Sequence, residues 1–457
     1  MNKNLTEGNP GKVLIGFTIP LFVSVVFQQI YSISDSIIAG RYAGEDALAA
    51  VGASYPITMI FMAVAVGFQI GCSVVISKIF GSGNQSRTRS CITTALISGL
   101  AVSAIMTAAG IFLSNRLLKI INTPDNIFES GNMYLKIYTG GFIFVFIYNV
   151  ATGVFNSLGD SKTPLYLLIG SSISNILLDL LFVAVFGWGV AGAAWATFIA
   201  QGAACILTMP IIFKRIKSLA SGHKDVLFSF ENFRTILFVA VPSILQQSFV
   251  SVGNLFIQSM VNNFGSSVMA GYSSAIKLNT FSITSFATIG NGISSFTAQN
   301  IGAGKTKRIK KGLKAGMIFS LTVSLLFFIL YFSLSNFLVG MFLKEKDSTP
   351  LAIDTGIKFL RIVSPFYFLV SAKLTCDGVL RGAERMKSFM AATFTDLILR
   401  VILAFIFSNM WNQTGIWIAW PFSWLIATAM SVFFCVLTFK TINKENKIIK
   451  ASDITPE

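Results

Sequence analysis

Histidine is almost missing from this chain: His223 is the only one in 457 residues. A catalytic or metal-binding cluster built on imidazole has nothing to be made from. Charge is scarce as well, at 12% of residues, against about 25% in soluble domains. The five cysteines, Cys72, Cys91, Cys205, Cys376 and Cys435, contain no CxxC pair and sit in or beside apolar runs. That pattern fits neither a disulfide framework nor a zinc site. A phosphate-binding loop is lacking too. GAGKT (302–306) has the lysine, but position 299 is Gln299 where the earlier glycine of that motif belongs, and the stretch follows an apolar run instead of a strand. A glycine helix stop leading into a basic loop accounts for it. No membrane-enzyme signature is found either, whether a histidine cluster, a Ser–Lys pair or an interfacial carboxylate motif.

Apolar sequence is what the chain has in abundance, 54% of residues at a mean hydropathy of +0.71. Runs of about twenty apolar residues recur from end to end, which defines a polytopic helical membrane protein. Twelve spans are predicted, at 14–40, 47–77, 90–114, 132–157, 163–186, 188–213, 234–262, 267–299, 313–340, 355–380, 386–409 and 413–439. The first is too long for a signal peptide and holds Pro20 and Asp35, so it is expected to be a retained helix. Net charge is +16. The Lys and Arg residues cluster in short segments between spans, as in cytoplasmic loops, and not in a nucleic-acid-binding face. With the N terminus inside, 24 Lys and Arg fall in inner segments, the three after span 10 (Arg381, Arg385, Lys387) among them. Outer segments hold six, Arg41, Arg116, Lys119, Lys344, Lys346 and Lys358. Both termini are therefore expected in the cytoplasm.

The chain also repeats itself with a shift of 221 to 226 residues. Pro20 matches Pro242, and Gly44 matches Gly265. SKIFGSGNQSR (77–87) matches AQNIGAGKTKR (298–308), and GVAGAAWA (189–196) stands opposite GIWIAWPF (415–422). The predicted fold is all-α, with twelve transmembrane helices in two six-helix bundles related by a parallel repeat. Residues 1–213 would form the first lobe, 214–233 a cytoplasmic linker, 234–440 the second lobe and 441–457 a cytoplasmic tail. Such a plan places substrate between the halves and alternates access by rocking.

Few acids lie deep in the spans: Asp35, Asp179, Asp377 and Asp396. Lys373 precedes Asp377 by four residues and Arg400 follows Asp396 by four, a spacing that puts each pair on one helix face as a structural ion pair. Asp35 and Asp179 have no such local cation. At ~1.5 Å per residue, Asp35, Asp179 and Thr197 lie roughly 8–14 Å inside the outer boundary, with Asn175 one turn from Asp179 on the same face. Two carboxylates, an amide and a hydroxyl can then converge. Close carboxylates cannot both ionise cheaply, so such a site can carry a proton; the same oxygens with backbone carbonyls can hold Na⁺. A buried hydrogen-bond network is the plainer alternative, although intramembrane carboxylates usually mark function. Lys277, with no acid four residues away, either snorkels to the interface or serves as a counter-charge in a central cavity.

These features together resemble the multidrug and toxic compound extrusion (MATE) transporters over almost the full length. The resemblance rests on the proline-bearing first helix with Gln28, Tyr31 and Asp35, and on NxxxD from Asn175 to Asp179. GVAGAAWAT ending in Thr197, the paired glycine turns and Leu380–Gly382 add to it. It implies a monomeric antiporter of the plasma (inner) membrane that exports organic cations and amphipathic drugs against H⁺ or Na⁺, without a cofactor. It further implies that Asp35, Asn175, Asp179 and Thr197 form the coupling site, with Na⁺ possible at Asp35 and Asp179. Gln28, Tyr31 and Asn149 would face substrate, and a bend at Pro20 would link the two. One departure stands out. Some branches carry a coupling acid in the seventh helix, where this chain reads PSILQQSFVSVGNLF (242–256) with none. The alternative within the superfamily is a flippase of lipid-linked oligosaccharide, which would line its cavity with cations; only Lys277 and Lys373 offer themselves here.

Overall fold

A segment that crosses a bilayer must satisfy its backbone hydrogen bonds internally, so isolated apolar runs of this length fold as helices. The computed structural model describes residues 4–38, 42, 45–121, 123–219, 226–343 and 349–452, and no strand occurs among them. Gly40, Arg41, Gly44, His223, Lys344 and Lys346 lie outside the described residues. The helices are α1 (Pro10–Ile38), α2 (Glu45–Gly81), α3 (Gln85–Ile120), α4 (Asp125–Gly140), α5 (Phe142–Ser157), α6 (Lys162–Asp179) and α7 (Gly189–Ser218). They continue with α8 (Phe230–Asn262), α9 (Ser266–Gly302), α10 (Thr306–Ser333), the short α11 (Ser335–Gly340), α12 (Pro350–Val363), α13 (Tyr367–Gly382) and α14 (Met386–Ser452).

Nine helical stretches among the described residues are long and apolar enough to cross a membrane, and the α4–α5 pair, bent by 42°, makes a tenth. The other two expected spans are present in a different guise. α9 has the length, 37 residues, but is too rich in Ser, Thr and Asn to pass as apolar, and it buries much of that polar surface. α14 contains two spans joined at a break, where Trp411 and Asn412 leave helical geometry and Asn412 takes φ 52°. Twelve spanning segments thus match the sequence expectation.

Two compact units emerge, one holding Val23–Ser248 and the other Leu5–Phe22 together with Phe249 onward. This grouping differs from the expected division at 1–213 and 234–440. The first half of α1 joins the second unit, and the first half of α8 joins the first. Burial explains the exchange. Leu14, Phe17 and Leu21 sit in one apolar core with Phe286, Ile289, Ile293 and Phe296 of α9. In the first unit, α8 packs on α2 so closely that a Cβ on Gly71 would come within 2.6 Å of Ala240 and one on Gly67 within 2.5 Å of Ile244. Pro20 and Pro242 lie inside the two helices that change partners.

The repeated glycine turns hold these crossing segments. Gly83 and Gly304 adopt φ of 78° and 66°, the left-handed region that glycine enters without penalty. Beyond Gly304, Arg308 donates to the carbonyls of Gly8 (2.7 Å) and Glu7 (2.9 Å) and to Asn300 Oδ1 (3.0 Å). The backbone N–H of Leu5 donates to Gln299 Oε1 at 3.0 Å. In the other unit Arg87 pairs with Glu231 at 2.8 Å, and Ser229 N–H donates to Thr94 Oγ1 at 2.9 Å. The basic loop that mimics a phosphate site is a clasp for the segment entering α1.

Within the second unit, α9 and α13 pack backbone to backbone. A Cβ on Gly290 would meet the Leu374 carbonyl at 2.5 Å, and one on Gly378 would collide with the Gly290 carbonyl. Gly378→Ala is therefore expected to destabilise the detergent-solubilised protein by about 1–3 kcal/mol through overpacking. Gly253→Ala, which meets nothing within 4 Å, should be neutral or stabilising by about 0.5–1 kcal/mol, the helix preference of alanine. Thermal unfolding of the two variants against the wild type checks both.

Candidate functional site

The acids of the first unit meet where α1, α6 and α7 come together. Asn175 and Asp179, one turn apart on α6, are both buried, Asp179 completely. Asp35 of α1 is half-buried and faces Asp179 carboxyl to carboxyl, near enough for a hydrogen bond between them. The Asn175 amide decides how the cluster is wired. With its nitrogen turned to Asp179 it donates to Oδ2 at 2.8 Å, while its oxygen accepts from the Thr197 N–H at 3.2 Å. The opposite orientation offers only a 3.5 Å contact to Thr197 Oγ1, so the first is the satisfied one. The Tyr31 hydroxyl bonds to Thr197 and lies beside both carboxyls.

One atom stays unsatisfied. Asp179 Oδ1 is buried with no hydrogen-bond donor among the described residues, and the Asp35 carboxyl lies beside the Asp179 carboxyl. Two ionised carboxylates repel and cannot bond; a proton shared between them, or a small cation, would satisfy both. A π-helical turn, Leu180–Val185, begins immediately after Asp179. Such widened turns frequently mark functional positions.

Of the residues expected from sequence, Asp35, Asn175, Asp179, Thr197 and Tyr31 are thus brought together. Gln28 is exposed one turn before Tyr31. Asn149 is half-buried, its amide donating to the Val145 carbonyl of its own helix at 2.8 Å. Neither joins the hydrogen-bonded cluster. Lys277 belongs to the second unit, is exposed, and lies 5.6 Å from the centre of the Phe342 ring, the posture of a snorkelling lysine. Pro20 is buried in α1. Sequence reasoning missed Tyr134 and Tyr138 of α4, which stack with ring centres 6.1 Å apart; Tyr134 lies within electrostatic range of Tyr31 and both carboxyls, and Tyr138 within range of Tyr31. Their spacing of four residues was the available signal.

The second unit buries its own charges differently. Lys373 and Asp377 pair at 2.8 Å, and Arg400 and Asp396 at 2.9 Å, as the spacing of four predicted. Lys373 also reaches Asp396 at 4.0 Å, which links the two pairs into one chain across α13 and α14. Ser431 donates to the other oxygen of Asp377 at 2.7 Å, and the Arg400 guanidinium stacks 4.3 Å over Trp420. Among the described residues no group of three or more His, Cys, Asp or Glu could hold a metal ion.

Twelve spans with an internal repeat and buried intramembrane acids define a polytopic membrane protein of the transporter kind. The MatE family model matches residues 20–181 and 242–406, one segment in each repeat. The chain belongs to this family, whose members are transporters and not enzymes. It is 28% identical over 440 residues to the probable multidrug resistance protein YpnP of Bacillus subtilis, covering 94% of this chain and 96% of that one. It is 26% identical over 418 residues to the probable multidrug resistance protein NorM of Thermotoga maritima, covering 90% and 88%. In fold it is similar to the outward-facing structure of a multidrug resistance MATE family transporter, with a TM-score of 0.91 at 21% identity, covering 97% and 99%.

The charge chain of the second unit carries its own test. Lys373→Met would leave the buried Asp377 carboxylate without its cation, at a cost of about 3–5 kcal/mol. Adding Asp377→Leu should restore part of that stability. Unfolding midpoints of the single and double variants check this, and equal destabilisation by both would contradict it.

Proposed function

We propose that this protein is a multidrug efflux antiporter of the plasma membrane, acting as a monomer, with both termini cytoplasmic. It exports organic cations and amphipathic drugs in exchange for H⁺ or Na⁺. The observation that carries this reading is the buried Asp179 carboxyl set beside that of Asp35, with one of its oxygens lacking a donor among the described residues. In a span, an acid pair without a cation is costly unless a proton or metal cation visits it. Asn175 and Thr197 position Asp179, while Tyr31 sits between the pair and the rest of α1. Binding of the ion removes the repulsion between the two carboxyls and draws α1 towards α6. Release restores it. Because α1 passes from one unit to the other near Pro20, a change at Asp35 has a covalent route into the second unit. Gln28, Asn149 and the tyrosine pair Tyr134 and Tyr138 are the substrate-facing candidates. The multidrug designations of relatives such as YpnP support the substrate class.

The flippase alternative calls for free cations around a cavity. Lys373 is engaged by two carboxylates and Lys277 is the exposed cation of α9, which leaves that reading little to stand on.

Uptake of externally added ethidium by everted vesicles tests the proposal directly. Wild type should accumulate the dye under one imposed gradient, of H⁺ or of Na⁺, and the effective gradient names the ion. Asp35→Asn and Asp179→Asn should each reduce ion-driven transport at least tenfold at equal expression; unchanged transport in both would remove the coupling assignment. Topology is tested separately. Lys311→Cys should react with an impermeant maleimide only from the cytoplasmic face, and Lys119→Cys only from the outer face.

A further inference from the structure

Five charged side chains are buried in the second unit among the described residues: Lys373, Asp377, Arg381, Asp396 and Arg400. Three cations stand against two carboxylates, leaving one positive charge in surplus. Lys373 and Arg400 are paired with the two acids. Arg381 is the remainder. It is only 4% exposed, yet among the described residues its side chain makes neither an ion pair nor a hydrogen bond, and its Nε is buried without an acceptor. The guanidinium has the Phe389 ring 5.4 Å away. Asp377, four residues earlier on α13, already spends one oxygen on Lys373 and the other on Ser431.

A lysine in this position has the option of shedding its proton; a guanidinium does not. An isolated buried charge is costly unless something of opposite sign reaches it. The stretch of α9 that packs against this end of α13 carries two further unspent donors. Gly290 of α9 faces it without a side chain, and a Cβ there would lie 3.7 Å from Arg381 Nη2. One turn on, Ser294 presents its carbonyl to Gly382, the residue after Arg381, and Thr297 packs against the same glycine. The hydroxyls of Ser294 and Thr297 are both buried without a partner. A guanidinium and two hydroxyls are the donor set that binds an anion.

We propose that Arg381, Ser294 and Thr297 form a binding site for a small monovalent inorganic anion of chloride size at the crossing of α9 and α13. The charge follows from the surplus of one, and a donor set of one guanidinium and two hydroxyls suits a single-atom anion. Gly290, Gly378 and Gly382 keep the two helices in backbone contact, so the anion is placed beside that contact, against the Arg381 side chain. The bound anion neutralises the surplus charge and bridges the two helices, so it contributes to stability independently of the antiport reaction.

The test is the thermal stability of the full-length protein in detergent, titrated with sodium chloride against sodium gluconate at constant ionic strength and pH. The unfolding midpoint should rise saturably with chloride, bromide should replace it, and gluconate should not. Arg381→Gln should abolish the chloride response, and in gluconate it should be at least as stable as wild type, because it removes an unpaired charge. Ser294→Ala should shift the half-saturating chloride concentration upward several-fold. A wild-type midpoint indifferent to chloride overturns the proposal. So does a chloride response that persists unchanged in Arg381→Gln and Ser294→Ala, and so does an Arg381→Gln protein that is less stable than wild type, or fails to fold, in gluconate.

Discussion

A charge inside a lipid-spanning bundle has no bulk water to retreat to, and that constraint organises the polar interior of this protein. The two units meet it in opposite ways. The first sets Asp179 beside Asp35, with Asn175 and Thr197 ordering the Asp179 carboxyl and, among the described residues, no donor to its second oxygen. The second buries a chain of alternating charge from Asp377 through Lys373 and Asp396 to Arg400, and ends with a cation to spare at Arg381. An acid surplus suits a site that takes up and releases a positive ion. A balanced chain suits a scaffold, because each member would be costly to expose alone. The division of labour between the repeats is therefore written in their charge balance more than in their shape.

Backbone packing supplies the rigidity against which such sites act. Without a hydrophobic driving force between helices in lipid, close approach through small residues carries the association. α9 and α13 use Gly290, Gly378 and Gly382 for this purpose, and α2 uses Gly67 and Gly71 against α8. The exchange of half-helices follows from the same packing. α1 and α8 each start in one unit and finish in the other, clasped at their entry by Arg308 and Arg87 of the duplicated glycine turns. At the loop that mimics a phosphate site, Gly304 in left-handed geometry makes the turn and Arg308 holds the carbonyls of Glu7 and Gly8 ahead of α1.

Much of this was legible beforehand because it is periodic or local. Long apolar runs can only be helices in a membrane, the positive charges partition between loops, and a shift of about 221 residues exposes the duplication. Pairs four residues apart, Lys373 with Asp377 and Asp396 with Arg400, must share a helix face. Even the meeting of Asp35 with Asp179 was readable from matched depth in spans far apart in sequence. The span at 267–299 and the division between 386–409 and 413–439 were both expected from the runs, although α9 does not pass as an apolar span and α14 runs through both with a break.

What the amino-acid sequence determined alone, then, is the class of fold, the number of spans and the residues able to face one another along a single helix. Tertiary structure decided the rest, since it depends on which helix lies beside which. Arg381 counts as an ordinary cytoplasmic arginine in the loop tally, and only the approach of α9 to α13 buries it. The same holds for the 4.0 Å link from Lys373 to Asp396, for Tyr134 within electrostatic range of the carboxyl pair, and for the allegiance of Leu5–Phe22 to the second unit. Hydrophobic patterning says that a face is buried but not against what, and in a bundle where nearly every helix is apolar all round, close packing at a few glycines makes that choice.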